Sequence, residues 1–113
     1  MKLLEIKKSK FYPFLFNVSS KEEVKQIILK IKQEHKKAKH VVYAFIIEQN
    51  NTILSGFSDD NEPKGVAGRP LYNLLENKKI INKLIVIVRY FGGIELGKSN
   101  LLRAYLQAGK LLF

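Results

Sequence analysis

Cysteine is absent from the chain, which excludes disulfides, a thiolate nucleophile and zinc-ribbon ligands together. Long apolar runs are missing as well, and stretches of a few residues are too short to span a bilayer. No secretory leader is recognisable, because Lys2, Glu5 and Lys7 interrupt any apolar h-region and no small-residue cleavage site follows. The cytosol is therefore the expected compartment. Internal repeats, linkers and low-complexity tracts are lacking too. What is present, 113 residues with 46% hydrophobic and 27% charged, suffices for one core and not for two. A single unit spanning residues 1–113 is expected.

Acidic residues are the scarcer charge, ten against 20 basic ones, for a formal net charge of +10. Such an excess favours a polyanionic partner, RNA or DNA. Arginine, the usual residue for bidentate phosphate and base contacts, occurs only at Arg69, Arg89 and Arg103. A lysine-rich composition of this kind also arises from codon bias alongside abundant Ile and Asn, so charge by itself is weak evidence for nucleic acid. Its placement says more. Residues 1–40 hold eleven lysines against four glutamates and carry most of the excess.

Hydrophobic periodicity gives the order β-α-β-β-α-β-α and an α+β architecture. Lys10–Val18 reads as a strand, and Pro13, which cannot donate to a ladder, suits an edge. Ser20 to Glu23 fits a capping box that opens a helix, with Val24, Ile27, Ile28, Ile31 and His35 on one stripe and lysines elsewhere. That basic face is expected to be solvated and could also track a phosphate backbone. His40–Glu48 is apolar on both alternating faces and predicts an inner strand, with Thr52–Phe57 returning antiparallel. Ser58–Gly68 reads as a loop. Pro70 at a first helical position opens a short helix that ends near Lys78 and Lys79. Ile80–Phe91 predicts the strongest strand, and Ser99–Leu112 a final helix.

Two segments carry candidate chemistry. Gly92 to Ser99 satisfies G-x-x-x-x-G-K-[ST] after a strand and before a helix. Nucleotide hydrolysis is disfavoured: too few residues follow for a doubly wound sheet, no strand-end Asp is placed to hold magnesium, and Glu95 would repel a triphosphate. Glycine backbone N–H groups before a helix still make an anion site conceivable near Gly97 to Asn100. The second segment is Ser58-Asp59-Asp60-Asn61-Glu62-Pro63. Its spacing does not match a calcium loop. Pairing of these carboxylates with Arg89 and Arg103 is the preferred reading over a hard cation or an acid–base pair. His35 and His40, five apart, do not share a helix face, so a two-histidine metal site is not expected, and local hydrogen bonding is the simpler role of His40. Tyr90, Phe91 and Tyr105 could stack bases, though core packing is the simpler role for them.

Taken together, Lys8-Ser-Lys-Phe11, Ala38-Lys-His40 with Tyr43-Ala44, the run Ser58–Pro70, and Arg89–Gly97 with Leu102–Tyr105 resemble the IMPACT (YigZ-like) family, in order over about residues 8–112. The S-D-D-x-E-P-x-G-x-A-G and R-Y-F-G-G-x-x-L-G signatures are long and rarely occur by chance. The resemblance implies the fold of the second domain of ribosomal protein S-five, a two-layer sandwich of a mixed or antiparallel sheet with helices on one face. It also makes the nucleotide motif a coincidence, since the family usually has a small residue and two glycines where this chain has Lys98, Ser99 and Asn100. Asn61 likewise replaces a usual Gly and Val66 a usual Thr. Losing the glycine pair removes backbone freedom where an anion would be held, and reduced anion affinity is expected. Bacterial members commonly continue into a ferredoxin-like domain, and eukaryotic ones carry an N-terminal module that contacts the general-control translation machinery. Binding carried by those parts is not expected of these 113 residues.

The expected function is a non-catalytic cytosolic module that binds RNA or ribosome-associated partners in the regulation of translation, without cofactor or metal. The binding set is Asp59, Asp60, Glu62, Arg89, Tyr90, Gly92, Gly93, Gly97, Arg103, Tyr105 and His40. An alternative is an enzyme or binding protein for a phosphorylated or anionic small molecule in a cleft between the acidic segment and the glycine loop. A third is a protein-interaction domain whose basic helix meets an acidic partner. No membrane association is expected, and the oligomeric state is open.

Overall fold

A computed structural model describes residues 2–113. The chain runs β1 (Leu4–Ile6), β2 (Ser9–Asn17), α1 (Lys21–Glu34), β3 (His40–Gln49), β4 (Thr52–Ser58), α2 (Gly68–Asn77), β5 (Lys83–Tyr90) and α3 (Lys98–Lys110). The strands form one five-stranded sheet in the order β1-β2-β5-β3-β4, antiparallel at every pairing. The α+β class and antiparallel sheet are as expected from the sequence. No helix among the described residues is long and apolar enough to cross a membrane.

The helices are not confined to one face. Val42, Ala44, Ile46, Ile85 and Ile87 pack with Leu71, Leu74 and Leu75 of α2 and Leu101, Ala104 and Ala108 of α3. The alternate residues Val41, Phe45, Ile47, Leu84, Val86 and Val88 pack with Val24, Ile28 and Ile31 of α1. The layers are thus α1, sheet, and α2 with α3, which corrects the expected two-layer arrangement. The physical reason lies in β3 and β5: both are apolar on both sides, and each side needs a cover.

Local chemistry explains the boundaries. Ser20 caps α1, its hydroxyl accepting from the Glu23 amide at 3.2 Å. Glu23 reaches back one residue further than a standard capping box would have it, accepting from the Ser19 amide at 2.8 Å. The Ser19 hydroxyl donates to the same carboxylate oxygen, and this bond first, then that of the Ser19 amide, holds the Glu23 pKa below its ordinary value. Asn50 and Asn51, both left-handed at φ 52° and 60°, make the two-residue turn between β3 and β4.

Two elements differ from expectation at the margin. β2 is not the edge of the sheet, because β1 pairs with it. That pairing stops at Phe11, so Pro13, opposite Ile87 on β5, has no neighbour on its other side. Its missing N–H is tolerated there. α2 starts two residues before Pro70, at Gly68.

Candidate functional site

The antiparallel pairing of β3 with β5 sets His40 opposite Arg89, and the pairing of β2 with β5 sets Phe11 opposite the same Arg89. One end of the sheet therefore presents Phe11, Arg89 and His40 in a row toward α3. Glu62, from the loop after β4, comes down onto that row. Arg89 Nη1 donates to Glu62 Oε2 at 2.7 Å, and the Tyr105 hydroxyl of α3 donates to the same oxygen. His40 Nε2 lies 3.3 Å from Glu62 Oε1. All four side chains are buried, with relative exposures of 8% for His40, 7% for Glu62, 4% for Arg89 and 0% for Tyr105.

Rings line the guanidinium. Arg89 Cζ sits 5.6 Å from the Phe11 ring centre and 5.7 Å from that of Phe91, and Phe11 meets Tyr105 edge to face at 5.1 Å. In such a dry setting an unpaired charge would be costly, and the Arg89–Glu62 contact offsets part of that cost for both partners. Burial first, and then the neighbouring Glu62 charge, push the pKa of the Tyr105 hydroxyl far above its ordinary value. It stays a donor. Arg89 Nε is the buried side-chain atom without a hydrogen-bond partner among the described residues.

The remaining acidic residues hold backbone. Asp59 Oδ1 accepts from the amides of Ala67 at 3.1 Å and Gly68 at 2.8 Å, and its Oδ2 accepts from Gly65 at 2.9 Å. It caps α2 from the preceding loop, supplying the oxygen that Ala67, in the N-cap position, lacks. Asp60 Oδ2 accepts from the Val41 amide at 2.6 Å, and its carbonyl accepts from His40 Nδ1 at 2.6 Å. Lys32 approaches its Oδ1 at 3.6 Å. Asp60 and Asn61 are both left-handed, at φ 45° and 67°; Asn adopts that conformation more readily than most side chains.

The glycine loop joins the same end of the sheet. The Gly92 amide donates to Ser9 Oγ at 3.3 Å, and an added Cβ there would lie 2.1 Å from the Lys8 carbonyl carbon. Only glycine fits. Gly93 and Gly97 have φ of 88° and 79° in open space, and the Gly97 carbonyl accepts from the Leu101 amide at 3.0 Å. Because both neighbours of β5 run antiparallel to it, the loop lacks the parallel strand that flanks the phosphate loop of doubly wound nucleotide folds.

The acidic and glycine segments thus share one concavity. It measures about 360 Å³ and is walled by Lys39, His40 and Arg89, by Asn61, Glu62 and Pro63, and by Phe91, Glu95 and Leu101. Of the predicted pairings, Arg89 with a carboxylate is present. Arg103 instead is exposed and donates from Nε to the Ser99 carbonyl at 3.4 Å, because its helix turns it outward while Tyr105 turns in. Tyr90 also departs from the group: one residue from Arg89 on a strand, it faces the α1 side, where its hydroxyl lies 2.7 Å from His35 Nδ1. No group of three or more His, Cys, Asp or Glu that could hold a metal ion is found among the described residues.

Sequence reasoning missed Ser9, whose buried hydroxyl meets Arg89 Nη2 at 3.4 Å, and the link between His40 and Glu62. A signal for the latter existed: antiparallel pairing of the two apolar strands in register brings His40 beside Arg89, the residue already assigned a carboxylate partner.

Comparison with known proteins gives a consistent result. The family model described as the Impact N-terminal domain matches residues 7–113. An IMPACT family member of Haemophilus influenzae is 41% identical over 102 residues, covering 89% of this chain and 50% of the relative. The family members YvyE of Bacillus subtilis and YigZ of Escherichia coli are 41% and 37% identical, covering 88% and 89% of this chain and 46% and 50% of theirs. The chain spans about half the length of these curated relatives. Among solved structures, a crystal structure of a hypothetical protein matches at TM-score 0.91 and 34% identity, over 97% of this chain and 54% of that one. The two-domain translational regulator Yih1 shares the fold at TM-score 0.58 and 24% identity, over 96% of this chain and 43% of that one.

Proposed function

The chain belongs to the IMPACT family, and from that premise we propose that it is a non-catalytic binding module that associates with RNA or the ribosome in the regulation of translation. Residues 1–113 act in this reading as one N-terminal-type unit in the cytosol. The translational context is taken from a fold neighbour of this chain that is described as a translational regulator. The observation that carries the RNA reading is the lysine surface. Lys21, Lys25, Lys30, Lys32, Lys36, Lys37 and Lys39, on and just after α1, are all exposed, as are Lys7, Lys8 and Lys10 at the β1–β2 hairpin. Of these only Lys32 is engaged by a carboxylate among the described residues. Free ammonium groups on one stretch of surface attract phosphates and release counterions on binding.

In this reading the residues around Glu62 are the frame that sets the loops, and the lysines meet the polyanion. A salt titration of RNA binding tests it: log K should fall linearly and steeply with log salt. A flat response, or no binding at low salt, overturns it.

The concavity beside Glu62 favours the second reading, a small anionic ligand. Its charge balance weighs the other way, since Arg89 is held by Glu62 and Glu95 adds a further negative charge to the wall. A rise in melting temperature with inorganic phosphate that Lys39→Gln abolishes would favour the ligand over RNA.

A further inference from the structure

The side of the sheet that α1 covers is covered incompletely. α1 buries the β3 and β5 residues beneath it, whereas Tyr12, Phe14 and Phe16 of β2 remain only partly buried. These rings stand at alternate positions of one strand, so they project on one face about 6.7 Å apart, twice the rise per residue. Phe14 and Phe16 lie nearly parallel with centres 6.2 Å apart. Tyr90 of β5 stands edge to face against Tyr12 at 5.7 Å, and His35, at the end of α1, lies 6.0 Å from both Phe14 and Tyr90. The hydrogen bond between His35 and Tyr90 fixes the upper end of this row.

A concavity of about 510 Å³ opens at that end, walled by Lys8, Lys10, Tyr12, His35, Tyr90 and Phe91. No carboxylate lines it. Partly exposed rings at regular spacing, with ammonium groups along the rim, are the two elements of a surface that stacks unpaired bases and follows their phosphates. A duplex hides its base faces, and an acidic peptide would use the lysines and leave the rings idle.

We infer that the β2 aromatic row with Tyr90 and His35, bordered by Lys8 and Lys10, is a stacking platform for single-stranded RNA. This rests on the RNA reading above and specifies its surface and its substrate class. Tyr90, grouped from the sequence with the residues around Glu62, acts here on the opposite face.

The test uses a labelled 12-nucleotide uridine-rich RNA, single-stranded and annealed to its complement, with binding followed by anisotropy and by quenching of tyrosine emission. The chain should bind the single strand more tightly than the duplex. Tyr12→Leu and Phe16→Leu keep apolar bulk on the strand, and circular dichroism checks that each folds. Each should weaken single-strand binding by about 5- to 100-fold, the range of one lost base–aromatic stack, and Lys10→Gln should lower the salt slope by about one. Should both ring variants bind as the parent does while Lys10→Gln weakens binding, the platform falls and the RNA reading stands. Equal affinity for duplex and single strand would likewise remove the platform and leave the RNA reading in place. Absence of binding to either RNA at low salt overturns both, and retention of an acidic peptide under those conditions would assign the lysines to a protein partner.

Discussion

The two faces of the sheet solve opposite problems. Toward α2 and α3, charged groups are drawn into the interior and matched: Arg89 with Glu62, Glu62 with Tyr105 and His40, Asp59 with the start of α2. Toward α1, apolar groups are pushed outward and left partly uncovered, with lysines around them. On one side polar chemistry is consumed in holding loops together; on the other it remains free to meet a partner. Polar residues in a signature are therefore not automatically the residues that touch a ligand, and half-exposed rings beside lysines carry as much information.

If that division holds, substitutions on the first face should change stability and leave the RNA affinity of the folded protein alone. The largest effect is expected for Arg89→Leu, which leaves Glu62 buried without its cation and should cost about 3–5 kcal/mol, read as a lower urea midpoint. Tyr105→Phe removes one donor to the same carboxylate and should cost about 1–3 kcal/mol.

Tyr105 also predicts a pH dependence. Its hydroxyl ionises more readily in the unfolded chain, near the ordinary value of 10.0, than in the fold, so the associated stability is complete below that value and declines as pH rises past it. The parent should accordingly lose its advantage over Tyr105→Phe above about pH 10, which paired melting curves would show. Identical alkaline slopes would place the hydroxyl in a wetter setting.

Asp59→Ala tests the cap of α2 and should cost about 0.5–2 kcal/mol, measured by denaturation, with Asp59→Asn retaining part of it. The smallest effect belongs to the α1 side. Glu23, depressed below its ordinary 4.5 by its bonds to Ser19 and Ser20, supports the fold above that value and stops doing so as pH falls through its lower folded value. Glu23→Gln should flatten the acid limb of the stability profile slightly, and an unchanged limb would show that the cap bonds do not persist in solution.

Much of the architecture was legible because it is local. Ser20 and Glu23 announce α1, the two-sided apolar runs of β3 and β5 announce central strands, and Asn50 with Asn51 announces a hairpin. What escaped depends on distance along the chain. β1 has three residues and little pattern of its own; its place follows from the register with β2. The capping of α2 joins Asp59 to amides eight and nine residues onward, across a loop whose path no periodicity encodes. The position of α1 could have been drawn from the same two-sided strands, which demand covers on both faces. Within the site, the pairing of Arg89 followed from the need to neutralise a buried charge, while Arg103 did not join it because helical geometry, invisible in a motif, sets its direction against that of Tyr105.

The strand order carries one last consequence. Within the sheet, among the described residues, β5, spanning Lys83–Tyr90, is the one strand that pairs with both the β1–β2 hairpin and the β3–β4 hairpin. During synthesis both hairpins leave the ribosome before their common neighbour is made, and neither can join the other until it arrives. Assembly is therefore a late event governed by contacts remote in sequence, which slows it, and through that interval the apolar margins of both hairpins stay open to a chaperone or to each other's copies.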